Sequence, residues 1–117
     1  MNYENEIKTM LMDLGVDTAL KGFGFLAEAI KFTLEDKKNK KMRPTMKLYR
    51  DIAAVFNASQ PQVSRAIGHS IDVAFSRGNK LLYDVFKGLI SADTGKVATS
   101  TFIAVIAEKI IMNENWL

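Results

Sequence analysis

The sequence predicts an all-α fold, a single domain of about six helices spanning residues 1–117. Apolar residues recur at helical spacing in successive segments, and no segment alternates apolar and polar residues as a half-buried strand does. Two of these segments, Thr45–Asn57 and Gln60–Arg77, are separated only by Ala58 and Ser59, which indicates a helix-turn-helix. A chain of 117 residues can bury one hydrophobic core but not two.

Two helices are predicted ahead of this pair. The first carries apolar residues at helical spacing, namely Ile7, Met10, Leu11 and Leu14. Gly15 fits the position just after its end, where a left-handed conformation is common. The second helix is expected over Ala19–Asp36, with Asp17 or Thr18 as its N-cap.

Two glycines, Gly22 and Gly24, interrupt this second helix. Each costs about 1 kcal/mol relative to alanine in a helix interior. We interpret both as positions where another helix packs closely. We prefer this interpretation to a dinucleotide-binding loop, because the sequence KGFGF does not follow an apolar strand.

The helix-turn-helix prediction rests on three positions at fixed spacing. Ala53 is small enough for the second helix to cross closely, and Asn57, four residues later, tolerates a positive φ. Val63, six residues further on, anchors the second helix. Around these positions the two helices are expected to share an apolar contact formed by Ile52, Phe56, Val63, Ile67 and Ile71.

The second helix of the pair has a marked start and a distinctive outward face. Ser59 is the expected N-cap and Gln62 its capping-box partner. The face opposite the apolar one is polar, and it consists of Pro61, Gln62, Arg65, Gly68 and His69, with Ser64 and Gln60 on its flank. Such a face suits the DNA major groove, because short polar side chains reach base edges without burying an unpaired carboxylate.

Double-stranded DNA is therefore the predicted partner, and the candidate residues divide by role. Base edges would be read by Gln62, Ser64, Arg65 and His69, and phosphates would be held by Lys47, Ser59, Gln60 and Arg77. A basic segment just ahead of and within the first helix of the pair supports this partner, with Lys37, Lys38, Lys40, Lys41, Arg43, Lys47 and Arg50. The alternative is an ordinary helix hairpin whose outward face and lysines are merely solvated.

Two more helices are predicted after the pair. A short one follows the turn Ser76–Asn79, and a last one follows a polar loop, with Thr99 or Ser100 as its N-cap. The last helix is apolar over much of its circumference, so we expect a subunit contact through Phe102, Ile106 and Ile110. The alternative is a helix fully buried in the middle of the domain.

Composition argues against several other functions. The absence of cysteine excludes disulfides, thiolate metal sites and cysteine nucleophiles. One histidine and no paired carboxylates on an apolar cleft leave little for catalysis, so we expect no enzyme activity, cofactor or metal. No apolar run reaches the roughly 18 residues that span a membrane, and the N-terminus lacks the apolar core of a secretory signal. A cytoplasmic protein without a membrane role is expected.

Four stretches together resemble the C-terminal effector domain of the master response regulator of sporulation initiation. They are KGFGFLAEAI at Lys21–Ile30, YRDIAAVFN at Tyr49–Asn57, VSRAIGHSIDVAFSRGN at Val63–Asn79 and TFIAVIAEK at Thr101–Lys109. The resemblance runs from Ile7 to Met112. It implies a bacterial, nucleoid-associated transcription regulator that pairs as a homodimer or head-to-tail on tandem DNA boxes, with the last helix contributing to the contact.

The sequence departs from that family in its reading helix. Gln62, Ser64 and Gly68 stand where the family carries an arginine, an acidic residue and a further arginine, whereas Arg65 and His69 are retained. Because glutamine suits adenine better than guanine, we predict the family's docking mode with an altered or relaxed DNA box.

A second departure is the absence of a phosphoacceptor receiver ahead of the first helix. If the chain is a complete gene product, phosphorylation cannot gate it directly. This leaves an alternative function: an interaction module that pairs with or titrates a full-length regulator without reading DNA specifically. The altered reading face favours that alternative, and the basic segment favours DNA binding.

Overall fold

The computed structural model describes residues 3–113, and all regular secondary structure in that range is helical. The six helices are α1 (Glu4–Asp13), α2 (Lys21–Lys38), α3 (Thr45–Phe56), α4 (Gln60–Ser76), α5 (Lys80–Val85) and α6 (Thr99–Asn113). The predicted all-α fold is therefore confirmed. Within the same range no helix combines the length and apolar character needed to cross a membrane.

Helix α2 is the centre of the fold, packed against α1, α3, α4 and α6. Its side chains Leu26, Ile30 and Leu34 are fully buried. Further from α2, the rings of Phe86 and Phe102 stack with centroids 5.1 Å apart and planes 8° from parallel. The core therefore extends from α2 through α6 to the residue that follows α5, and the buried faces of α3 and α4 belong to the same core.

The two glycines of α2 have different environments. A Cβ at Gly22 would lie 2.0 Å from Ser70 Oγ and 2.2 Å from the Ala66 carbonyl oxygen, so α2 and α4 can cross here only because this residue has no side chain. The close-packing interpretation is confirmed for Gly22. It is wrong for Gly24, where a Cβ would make only ordinary contact with the Phe56 ring at 3.7 Å.

The connection between α1 and α2 was predicted only in part. Gly15 follows the C-cap of α1 with φ +86°, as expected. Helix α2, however, begins at Lys21 after Leu20, which provides no side-chain cap. Asp17 instead accepts a hydrogen bond from the Ala19 amide at 2.9 Å and stabilises a turn before the helix. The prediction of Asp17 or Thr18 as the N-cap is therefore wrong.

Helix α6 is a core helix, and this corrects the predicted subunit contact. The side chains of Phe102, Ile106 and Ile110 are 0%, 0% and 1% exposed. They are buried because α6 packs against α1, α2 and α4, which accounts for its wide apolar surface. Any subunit contact of α6 must use its exposed residues instead. Its start also differs from the prediction, because Thr99 is already the first helical residue and Phe102 N–H donates to the Ala98 carbonyl oxygen at 2.9 Å.

Candidate nucleic-acid interface

The three positions that predicted the helix-turn-helix have the expected geometry. Ala53 and Val63 are buried where α3 and α4 cross, and Asn57 adopts φ +53° and ψ +45° in the left-handed region. Ala58 N–H then donates to the Ala53 carbonyl oxygen at 2.9 Å and closes the turn. This geometry fixes the angle at which α4 leaves α3, and so it determines which face of α4 points outward.

Phe56 does not join the apolar contact between α3 and α4. Ile52, Val63, Ile67 and Ile71 are buried as predicted, but Phe56 is 44% exposed. As the last residue of α3, it lies to one side of the crossing and meets the ring of Phe25 edge-on, with centroids 5.0 Å apart. The prediction for Phe56 is therefore wrong, because the neighbour of this ring is α2.

The start of α4 is held by the predicted capping box. Gln62 N–H donates to Ser59 Oγ at 3.2 Å, and Ser59 N–H donates to Gln62 Oε1 at 2.8 Å. Pro61 occupies the first turn, where no intrahelical N–H is required. The capping box therefore stabilises the first turn of α4. It also uses the side-chain oxygen of Gln62, Oε1, as the acceptor for the Ser59 N–H. The Gln62 amide N–H groups make no hydrogen bond among the described residues.

The outward face of α4 carries the predicted base-reading residues. Gln62, Ser64, Arg65 and His69 are all exposed. Gln62, Arg65 and His69 follow one another at i, i+3 and i+7, so they form a stripe along the helix. Arg65 is the cation of this stripe, and over residues 3–113 it has neither a hydrogen bond nor an ion pair. The structure thus brings the four residues to one exposed surface.

Lys47 and Arg77, two of the predicted phosphate-binding residues, already have acidic partners. Lys47 Nζ lies 3.3 Å from Asp51 Oδ2, and Arg77 Nη2 lies 2.9 Å from Asp17 Oδ2. The pKa of Asp17 is lowered by the hydrogen bond from the Ala19 amide, the largest single cause, and also by the hydrogen bond and the positive charge of Arg77. These two cations are therefore partly neutralised within the chain.

The other two predicted phosphate-binding residues lie at the start of α4. Ser59 is its N-cap, and Gln60 Nε2 lies 3.4 Å from Met46 Sδ. A thioether is a weak acceptor, so the Gln60 amide stays available to a stronger one. Both residues therefore remain able to donate to a phosphate.

The basic segment before and within α3 includes a structural arginine that the sequence analysis missed. Arg43 Nη2 lies 2.9 Å from Asp36 Oδ1 and its Nη1 lies 3.1 Å from Asp51 Oδ2, so one guanidinium links the end of α2 to the middle of α3. The same group lies over the ring of Phe32, 4.5 Å from its centroid. The available signal was the pair of aspartates that flank the basic segment in sequence.

The remaining cations of the basic segment also differ in their partners. Lys37 Nζ lies 3.1 Å from Glu108 Oε1 on α6. By contrast, Lys40, Lys41 and Arg50 are exposed and form no ion pair in the range that the structure describes. The positive potential of this segment therefore depends on fewer side chains than its sequence suggests.

The fold and this surface define the class of the protein: a helix-turn-helix domain whose second helix presents a polar stripe with an exposed arginine. Residues 7–110 match the family described as sporulation initiation factor Spo0A C terminal. The match covers most of the chain, and the chain belongs to this family. It is a family of DNA-binding regulatory domains rather than of enzymes, so the protein is a DNA-binding regulator and the resemblance seen in its sequence is confirmed.

Proposed function

We propose that the domain reads a specific sequence of double-stranded DNA by placing the outward face of α4 in the major groove. The observation that carries this proposal is Arg65, an exposed cation on that face with no partner over residues 3–113. An arginine in this position can donate two hydrogen bonds to O6 and N7 of a guanine, the most common specific contact between a side chain and a base. Because Arg65 has no ion pair among the described residues, its contact with a base breaks none of their ion pairs.

Gln62, Ser64 and His69 support the reading proposed for Arg65. His69 lies one turn beyond Arg65 on the same stripe, and Ser64 flanks it. Gln62 Oε1 already accepts the Ser59 N–H, so Gln62 is best able to read through its amide N–H groups. Those groups fit an acceptor on a base, such as a purine N7. A bidentate contact of Gln62 with adenine uses both the side-chain N–H and the side-chain oxygen Oε1. For that contact Oε1 would have to accept a second hydrogen bond, because it already accepts the Ser59 N–H.

Phosphate contacts are proposed on both sides of this face. The Ser59 hydroxyl and the Gln60 amide lie at the start of α4, where backbone N–H groups also favour anions. Lys47 and Arg77 remain in the proposal, although each cation must donate both to its carboxylate partner and to the phosphate. We add Arg50, which lies one turn beyond Lys47 on α3 and has no ion pair in the described residues.

Substitution of Arg65 tests the proposal. Loss of its base contact should weaken cognate binding by about 1–3 kcal/mol and should relax specificity at one position. Binding of Arg65→Ala and the original protein to a cognate duplex and to a random duplex is measured at one salt concentration. Lys109→Ala is the matched control, because Lys109 is exposed, has no ion pair among residues 3–113 and lies on the half of α6 that borders α1. Equal losses on both duplexes would contradict base reading by Arg65.

A further inference from the structure

A cavity of about 730 Å³ opens between the start of α2, the α3–α4 turn and the first turns of α4. We call it the α2–α4 cavity. Its walls are mainly apolar and include the edge-on rings of Phe25 and Phe56. The volume falls within the range of sites that bind small organic molecules, about 300–1,000 Å³.

Gly24 contributes to the open space in this cavity. In the interior of α2 it costs about 1 kcal/mol of helix stability relative to alanine. Unlike Gly22, it does not allow a close helix crossing, because a Cβ there would lie 3.7 Å from Phe56 Cε1 and 3.8 Å from its Cζ. Gly24 and Phe56 both line the cavity, so a larger side chain at position 24 would occupy it. The glycine therefore leaves open space beside Phe56 in the wall of the cavity.

The charge around the α2–α4 cavity is positive. Lys21 and Arg65 both line it, and neither forms an ion pair in the described part of the chain. None of the described lining residues is acidic. A ligand that complements this site has an apolar body to contact the two phenylalanine rings and an anionic group to meet the two cations.

We propose that the α2–α4 cavity binds a small organic acid, an aliphatic or aromatic body with one carboxylate, and that the bound acid competes with DNA. The apolar body contacts Phe25 and Phe56, and the carboxylate accepts from Lys21 and Arg65. Gln62 also lines the cavity, so the ligand occupies two of the residues assigned to base reading. The competition rests on the proposed function, whereas the binding of the acid does not.

Binding is tested first without DNA. The full chain is labelled with ¹⁵N and titrated with 4-phenylbutyrate while amide chemical shifts are recorded. Saturable shifts confined to the neighbourhood of Gly24, Ala58 and Ala66 are expected. Absence of saturable shifts there would overturn the proposal. Equal shifts with inorganic phosphate would also overturn it, because they would show an anion site without a role for the apolar walls.

Three comparisons identify the parts of the site. Gly24→Leu fills the cavity and should lower the affinity of the protein for the acid by at least about tenfold. Lys21→Gln changes an exposed residue and should lower the affinity for the acid about two- to fivefold. Lys87→Gln is the control, also at an exposed position, and should leave the affinity for the acid unchanged. The neutral analogue 4-phenylbutan-1-ol should bind about tenfold more weakly than the acid, because both cations lose their partner. Unchanged affinity in both Gly24→Leu and Lys21→Gln would overturn the assignment to this cavity.

The competition with DNA is tested separately. With 4-phenylbutyrate at ten times its dissociation constant, the affinity of the original protein for DNA should fall about tenfold. Gly24→Leu, which lies outside the base-reading residues, should bind DNA as the original protein does and should not respond to the acid. If the acid binds but DNA affinity is unchanged, the competition is overturned. If the protein binds no DNA, the proposed function fails, and the shifts still decide whether the acid binds.

Discussion

The cations that lead into α3 and the cation on the outward face of α4 differ in their partners. Arg43 bridges Asp36 and Asp51, and Lys47 also meets Asp51. Arg65 meets no acid in the described structure. The first group is denser in the sequence, yet part of its charge is spent on holding α2 and α3 together. Whether a cation is available to DNA therefore depends on whether an acidic side chain of the folded chain pairs with it. A count of lysines and arginines does not show this.

The largest effect is expected at Arg43, and it should be on stability. The side chains of Arg43 and Asp36 are only 18% and 12% exposed, so Arg43→Ala leaves a mostly buried carboxylate without its partner. The free energy of unfolding should fall by about 3 kcal/mol, measured by urea denaturation. Met42→Ala, at the exposed neighbouring position, should stay within about 0.5 kcal/mol of the original protein. Unchanged stability in Arg43→Ala would remove the distinction between structural and free cations.

A smaller effect on DNA binding should separate Arg50 from Lys47. Arg50→Ala removes a cation with no ion pair within residues 3–113, so it should weaken all DNA sequences alike and reduce the slope of affinity against salt by about 1. Lys47→Ala should do the same to a smaller extent, because Asp51 already neutralises part of its charge. Titrations at several salt concentrations measure both slopes. A larger loss for Lys47→Ala than for Arg50→Ala would show that internal pairing does not predict phosphate contact.

The smallest effect concerns the pH dependence of stability at the Asp17–Arg77 pair. The folded pKa of Asp17 lies below its ordinary value of 3.8, so the ionised carboxylate is favoured in the folded state. Its stabilising contribution is complete above the unfolded pKa and is lost as the pH falls through the lowered folded pKa. Asp17→Asn should therefore be slightly less stable than the original protein near neutral pH, and the difference should shrink below pH 3.8.

Arg77→Gln tests how much of the lowered pKa of Asp17 comes from Arg77 and how much from the Ala19 amide. Because the hydrogen bond from the Ala19 amide is the largest single cause, Arg77→Gln should retain part of the pH-dependent stability. Thermal melting at a series of pH values measures this for both variants. If Arg77→Gln loses as much stability near neutral pH as Asp17→Asn, the ion pair with Arg77 rather than the backbone hydrogen bond would stabilise the ionised carboxylate of Asp17.

The sequence was sufficient where the determinants are local. Asn57 in the turn, the capping box of Ser59 and Gln62, and the helical period of α4 each depend on residues within one or two turns. These features determined the helix-turn-helix and the outward face of α4. The sequence also placed two predictions on the Gln62 side chain, the capping box that the structure has and the base reading that is proposed.

The errors arose where distant segments meet. The burial of Phe102, Ile106 and Ile110 depends on the position of α6 among other helices, and local periodicity cannot distinguish that position from a partner surface. Phe56 meets α2 rather than α4, and Arg43 meets an aspartate on each side of its own loop. The α2–α4 cavity was not predicted for the same reason, because Gly24 is far from Phe56 and Arg65 in sequence.

The central claim is that α4 reads a DNA sequence through its outward face, and selection from a randomised duplex pool tests it most directly. The purified protein is used to enrich bound duplexes over several rounds, and binding of the enriched pool is then titrated against salt. We predict a defined box that contains a guanine whose enrichment is lost with Arg65→Ala, and an affinity that falls steeply as salt rises. Salt-sensitive binding with no enriched box would contradict the claim and would leave only phosphate binding.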